Sequence, residues 1–318
     1  HPFFSEGVMS LHFKQGKPMV VKRGEPGHIT FEEHGDAFGY EELERLIDRI
    51  VEFADQSQDG YIERDVGNVI IAQLTDVRVV IVRPPLSDGI EVTAVRPVRK
   101  LSLEEYELSS SLYDHLSTAS GILMAGSPGS GKSTFCQAIA EYYADKEQVV
   151  KTIESPRDLQ VDERITQLSF SHARREDITN ILLLSRPDYT IYDEIRNLHD
   201  VEVYADLRLA GIGMVGVIHA NKALDAIQRF VGKLELGIIP QVIDTVIFIS
   251  KGSIEEVLQL KATVKVPAGM TESDLARPVI EVKRFTTQEQ LYEMYTYGEQ
   301  TMVVDLSLID QQESETDR

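Results

Sequence analysis

Residues Gly126-Ser127-Pro128-Gly129-Ser130-Gly131-Lys132-Ser133 spell GxxxxGKS, a spacing suited to holding phosphate. Glycines let successive backbone N–H groups turn inward, and a helix starting at the lysine adds the positive end of its dipole. Ser127, Pro128, Gly129, Ser130, Gly131 and Thr134 would line this cradle. Lys132 can reach the β- and γ-phosphates, and the Ser133 hydroxyl can hold Mg²⁺. The flanking text meets the context that the motif demands. Residues 121–125 (GILMA) read as a short apolar strand and 134–143 (TFCQAIAEYY) as a helix. A nucleoside triphosphate with Mg²⁺ is the expected ligand.

Other apolar runs also end in chemistry. Residues 149–153 end at Glu154, 189–192 at Asp193-Glu194 with Ile195-Arg196 behind them, and 213–218 at His219. Ligands of a parallel sheet bind outside the carboxyl ends of its strands. Four strands would therefore bring a phosphate loop, a Glu, an Asp-Glu pair and a His to one edge. In such a site one acid holds Mg²⁺ through water, and a second orients and deprotonates the attacking water. Asp193 suits the first role and Glu194 the second; Glu154 suits either, and the spacing does not rank them. His219 is placed to sense the γ-phosphate by hydrogen bonding. Arg196 lies next to the acids, and Arg78, Arg83, Arg96 and Arg99 lie on or beside earlier strands. An arginine brought to the γ-phosphate is worth roughly 10³–10⁵ in rate, or about 4–7 kcal/mol.

The elements that must position these residues fall into two blocks. Residues 39–55 carry Leu43, Leu46, Ile47, Ile50 and Ala54 at helical spacing. Strand patterns follow at 68–73, 78–82 and 90–95, which makes residues 1–105 an N-terminal α+β domain. Residues 99–108 read as a linker or short amphipathic helix. Residues 106–318 read as a second domain, in which from Leu112 onward helix and apolar strand alternate, as in a doubly wound parallel sheet. Its strands are expected at 121–125, 149–153, 189–192, 213–218 and 245–249, with helices at 178–184, 201–209 and 226–236. Residues 255–305 return to strand text (255–266, 279–285 and 291–297), a β-rich C-terminal appendage. The acidic end, 310–318, reads as a solvated, disordered tail.

Composition narrows the classes. The 318 residues suffice for two domains and a large core. No apolar run approaches the ~18 residues of a membrane span. The first residues, HPFFSEG, have neither a basic n-region nor an apolar h-region, so no signal peptide is expected. They also lack an initiator Met, as a processed chain or a fragment would. Cys136 is the single cysteine, which excludes an intrachain disulfide and points to a reducing cytoplasm. It is expected as a buried, inert thiol. A formal net charge of -20 argues against a broadly basic nucleic-acid surface. A local basic track, such as one lining the pore of a ring, stays open.

In this order the motifs resemble the secretion-ATPase superfamily of type II/IV secretion and pilus motors. There the phosphate loop is followed by an acidic box (here KTIESPRD, 151–158), a second acid motif (YTIYDEIRN, 189–197) and a histidine box (GMVGVIHANKALDAIQR, 213–229). The text is most similar to an archaeal branch, PilT-like in its motor, in which a PIN domain precedes the ATPase and a KH domain follows it. Residues 77–98, 182–197, 206–220 and 264–282 carry that similarity, which covers about residues 25–305. Neither a PIN nor a KH domain lies in this chain, so the resemblance implies the motor core. The expected fold is α/β: an N-terminal α+β domain, then a RecA-like P-loop ATPase domain with its β-rich appendage.

The resemblance implies ATP hydrolysis by a homohexameric ring. Nucleotide would sit between the two domains, with Arg78, Arg83 and Arg96 of the first reaching the phosphates. Pilus motors usually have Gly-Glu where this chain has Asp193-Glu194. Glu194 is then the matching base, and Asp193 an added Mg²⁺ candidate. Branch migration of four-way DNA junctions is the expected work. The alternatives are a pilus or secretion motor on a membrane platform protein, and an RNA-processing scaffold. Arg174, Arg175 and Lys222 fall in loops that could face a ring centre.

Overall fold

The computed structural model describes residues 7–306 apart from 26–27, 58–59, 97–100, 158, 269 and 271–275. Arg99 and the tail 310–318 lie outside the described residues. The chain forms two compact units, one of His1–Lys100 with Pro156–Gln160, the other of Leu101–Ser155 with Val161–Arg318.

In the first unit, β1 (Val8–Lys14), β2 (Met19–Glu25) and β3 (His28–His34) precede α1 (Tyr40–Gln56). Four more strands follow: β4 (Gly60–Asp65), β5 (Val69–Leu74), β6 (Val77–Val82) and β7 (Glu91–Val95). They make one antiparallel sheet in the order β3-β2-β1-β7-β6-β5-β4. Alternate residues such as Leu11, Val21, Val79, Ile81 and Val92 form its core, with Leu43 and Ile47 of α1 packed among them. The helix starts at Gly39, whose N–H donates to Glu42 Oε2 at 2.8 Å. Residues 39–55, 68–73, 78–82 and 90–95 thus take up the expected elements. β1 to β3 and β4 had no counterpart in the sequence reading. Charged stretches such as KRGE in β2 and FEEH in β3 hide the period-2 signal.

The second unit begins with a 3-10 turn at Glu104–Tyr106, within the expected linker, and α2 (Ser110–Leu116). The alternating part comprises β8 (Gly121–Gly126), α3 (Lys132–Asp145), β9 (Val150–Glu154), β10 (Thr166–Ser169), α4 (Arg175–Ser185) and β11 (Tyr189–Tyr192). It continues with α5 (Leu198–Leu209), β12 (Gly213–His219), α6 (Ala223–Gln228), α7 (Ile239–Val242) and β13 (Thr245–Ser250). β14 (Ser253–Lys265), β15 (Arg277–Arg284), β16 (Gln290–Tyr297) and β17 (Gln300–Asp305) complete it. Among the described residues these strands form one sheet, β10-β9-β11-β12-β8-β13-β14-β15-β16-β17. It is parallel from β10 to β13 and antiparallel beyond.

The α/β class holds. Every residue of β8 and β11 is buried, as strands covered on both faces require. The strand patterns after residue 255 continue the core sheet itself, because β14 pairs with β13. The helix expected at 226–236 ends at Gln228, and the chain then turns through Gly232 at φ 78°. Among the described residues no helix is long and apolar enough to cross a membrane.

Candidate nucleotide site

Strand order decides which residues meet. β12 lies beside β8, with His219 opposite Gly126. β11 lies beside β12, and β9 beside β11, with Tyr192 opposite both Gly216 and Ile153. The phosphate loop, His219, Asp193-Glu194 and Glu154 therefore leave the same edge of the sheet, in that lateral order.

The loop between β8 and α3 has backbone that only glycine tolerates. Gly131, the N-cap of α3, stands at φ 100°, in the left-handed region. A Cβ on Gly126 would fall 2.3 Å from the Ile249 carbonyl oxygen and 2.6 Å from Ser130 Oγ. The loop is braced from outside by Gly252, whose N–H donates to the Ser130 carbonyl at 2.8 Å. Ser127, Pro128 and Gly129 are exposed, whereas Ser130 and Lys132 are buried. Lys132 Nζ donates to the carbonyls of Gly126 (2.9 Å) and Ser127 (2.7 Å). Burial lowers its pKa, with Glu194 and Asp193 opposing that shift. Both acids thus lie within electrostatic reach of the lysine.

Glu194 sits at the centre of the polar contacts. Its Oε1 lies 2.7 Å from His219 Nε2. Its Oε2 accepts from Arg196 Nε (2.9 Å) and Nη2 (2.6 Å). The hydrogen bond that Arg196 donates to Glu194, opposed by burial, leaves the Arg196 pKa raised. The backbone is held on both sides of the glutamate: Asp193 N–H donates to Ile153 O (2.9 Å) and Ile195 N–H to Val217 O (2.7 Å).

Glu154 is different. It is wholly buried, and its Oε1 accepts from Thr152 Oγ1 (2.5 Å) and Gln167 Nε2 (2.9 Å). Its strand lies three places from β8, or about 14 Å at ordinary strand spacing. Glu154 thus ends a strand one place farther from the phosphate loop than the strand that leads to Glu194.

Two polar atoms at this edge fit a phosphate. Ser130 Oγ and His219 Nδ1 are buried without a hydrogen-bond partner among the described residues, and such orphans are costly unless a ligand or water meets them. Mg²⁺ is usually held by one or two protein oxygens plus phosphates and water. Ser133, exposed in the first turn of α3, and Asp193 are oxygen donors of that kind. A cleft of about 770 Å³ in the same unit opens beside Gly252 and is bordered by Tyr106, Ser109, Asn221, Arg284 and Tyr292.

Arg78, Arg83 and Arg96 belong to the first unit. Arg83 grips Glu44 of α1 through Nε (3.3 Å) and Nη2 (2.9 Å), and that hydrogen bond raises its pKa. Arg96 pairs with Asp76 at 2.8 Å. Arg78 donates to the Arg157 carbonyl at 3.0 Å. The acidic box is divided between the units. Arg157 stacks on Tyr61 at 3.9 Å and pairs with buried Glu63 at 3.0 Å, both in the first unit. Asp158 lies outside the described residues. Arg174 and Arg175, read as loop cations, both have carboxylate partners, Asp177 and Asp200.

Sequence reading passed over Thr152, Gln167, Asp200 and the cleft residues. Only Asp200 left a signal, the Asn197-x-x-Asp200 capping box at the start of α5.

Comparison with known proteins adds the family. The model of the family described as "Type II/IV secretion system protein" matches residues 90–266. The chain belongs to that family. It contains the ATPase core of the secretion superfamily. Two archaeal relatives match over 95% of the chain. An uncharacterised KH- and PIN-domain-containing protein of Methanocaldococcus jannaschii is 53% identical, over 47% of its own length. The Holliday junction branch migration ATPase PINA of Sulfolobus acidocaldarius is 49% identical, over 59% of its length. The chain thus spans about half the length of these relatives. Among solved structures, the pilus retraction motor PilT with bound ADP superposes with a TM-score of 0.58 at 18% identity, over 87% of this chain and 79% of that one. The Legionella pneumophila ATPase DotB gives 0.55 at 16%, over 88% and 78%. These two likenesses establish the fold of this secretion-family core.

Proposed function

We propose that this chain is the motor core of an ATPase that hydrolyses ATP with Mg²⁺ and acts on branched DNA. The observation that carries the hydrolytic part is Glu194, held between His219 and Arg196 and within the electrostatic reach of Lys132. The backbone N–H groups of residues 127–134 would bind the phosphates. Lys132 would neutralise the β- and γ-oxygens, and Ser133 and Asp193 would hold Mg²⁺. Bound there, Mg²⁺ would supply positive charge to neutralise what develops on the phosphates. Glu194 takes the proton of the attacking water, and Arg196 fixes its second oxygen. His219 meets the γ-phosphate through Nδ1. Glu154, buried and hydrogen-bonded, supports the edge of the site. We assign the nucleoside to the cleft of about 770 Å³ beside Gly252.

The same proposal includes a cytoplasmic homohexameric ring in which Arg78, Arg83 and Arg96 give positive charge to a phosphate at a domain or subunit boundary. Each is at present paired inside its own unit, so that role requires an exchange of partners. The DNA part is supported by the relative named for Holliday junction branch migration. The family description favours a second reading, a pilus or secretion motor on a membrane platform protein.

The test is the ATPase rate with and without four-way-junction DNA over a range of salt, with oligomeric state measured in parallel. Stimulation that falls as salt rises supports the DNA reading. Turnover indifferent to DNA but raised by a membrane platform protein would replace it with the second.

A further inference from the structure

Asp200 stands six residues beyond the proposed base, on α5, and is 2% exposed. A buried carboxylate is tolerated only when paired and hydrogen-bonded. This one accepts five hydrogen bonds. Oδ1 takes them from Tyr192 OH (2.9 Å), Arg175 Nε (3.2 Å) and Arg175 Nη2 (3.0 Å). Oδ2 takes them from the backbone N–H of Arg196 (2.9 Å) and Asn197 (3.1 Å). Burial acts to raise the Asp200 pKa, but these donors prevail and hold it below the usual carboxylate range.

The partners of Asp200 come from the ends of two other elements and from the loop before its own helix. Tyr192 ends β11 and Arg175 begins α4. The Arg175 guanidinium lies 4.8 Å from the Phe170 ring, which in turn lies 5.7 Å from Tyr192. Phe170 N–H donates to the Glu154 carbonyl at 3.1 Å. This cluster adjoins the loop that carries Glu194, and Asp200 holds the backbone of Arg196, whose guanidinium grips Glu194 Oε2.

We propose that Asp200, with Arg175 as its counter-charge, is a positioning residue that sets the place of Glu194 through the Arg196 backbone. The proposal rests on the base role given to Glu194 above. All five groups facing Asp200 are donors, and an ionised carboxylate is acceptor-only. An asparagine side chain would be no neutral replacement, because its NH₂ must face either the guanidinium and hydroxyl or the two N–H groups. The loop must then shift. A misplacement near 1 Å costs on the order of 10²-fold in rate.

The experiment measures kcat, KM for ATP and bound-ADP stoichiometry in Asp200→Asn, with rates normalised to nucleotide-binding sites. The expected result is a fall in kcat of about 10- to 100-fold with KM nearly unchanged. Arg175→Met should lose turnover in the same sense and Arg175→Lys should recover part of it. Arg174→Ala, whose side chain is 79% exposed, should keep the basal rate.

Single-turnover hydrolysis in the double variant Glu194→Gln/Asp200→Asn provides the decisive arm. If Asp200 acts through Glu194, the second substitution adds no loss. Losses that multiply, or a wild-type kcat in Asp200→Asn, overturn the proposal. Should Asp200→Asn fail to fold, Arg175→Met with and without Glu194→Gln carries the same comparison. If Glu194→Gln alone hydrolyses at the wild-type rate, the base assignment fails. If it is slow while Asp200→Asn is normal, only the positioning proposal fails.

Discussion

Glu194→Gln separates binding from chemistry at this site. Both carboxylate oxygens of Glu194 face donors, His219 Nε2 at 2.7 Å on one side and the Arg196 guanidinium at 2.6 and 2.9 Å on the other. A glutamine can keep its oxygen toward Arg196 and turn its NH₂ toward His219 Nε2, which accepts when it carries no proton. The fold should therefore survive, at a cost of about 1 kcal/mol for the weakened contacts. Proton transfer does not survive, since the amide is no base at neutral pH. General-base catalysis contributes typically 10²–10⁴-fold, so the barrier should rise by about 3–5 kcal/mol. Single-turnover phosphate release measures that loss, and titration with a fluorescent ADP analogue shows whether affinity is kept. A rate within about threefold of wild type at equal affinity would remove Glu194 from the base role of this mechanism. Glu154 would then have to take it, despite being wholly buried and bonded to Thr152 and Gln167.

Four further outcomes are expected. Lys132→Ala should weaken nucleotide binding about 10- to 100-fold, the value of a hydrogen bond to a charged group, and unchanged affinity by titration would contradict the phosphate role. Arg83→Ala or Arg96→Ala should lower turnover of the assembled protein well beyond the ~1 kcal/mol that a partly exposed ion pair is worth in stability; wild-type rates in both variants would remove them as phosphate donors. Gly216→Ala should destabilise the fold by roughly 1–3 kcal/mol, because its Cβ would stand 2.6 Å from Ile195 Cδ1 and 2.8 Å from Tyr204 Cε2; a denaturation midpoint equal to wild type would count against this packing. Cys136 is fully buried, and desolvation pushes its thiol well above the usual value, so a thiol reagent at pH 8 should label it only after unfolding. Prompt labelling of the native protein would refute its burial.

Local text was enough to announce the phosphate cradle. GSPGSGKS sets loop geometry through glycine at Gly126 and Gly131, and apolar runs of four to seven residues mark the buried parallel strands. The acids at strand ends were readable for the same reason, because a parallel sheet sends its carboxyl ends to one edge. The preference for Glu194 over Glu154 in the proposed mechanism rests on the lateral order of β8, β12, β11 and β9, which loop connections leave open. The partners of the cations were also hidden. Arg83 meets Glu44 and Arg175 meets Asp200 across 39 and 25 positions of chain, separations that no local pattern reports. The sequence alone therefore determined the phosphate-loop motif and which residue types stand at the strand ends beside it. Tertiary structure decided which of those residues leave one sheet edge together and which have partners elsewhere, because side-chain contacts depend on how strands are ordered and helices packed, while a motif constrains only its own few residues of backbone.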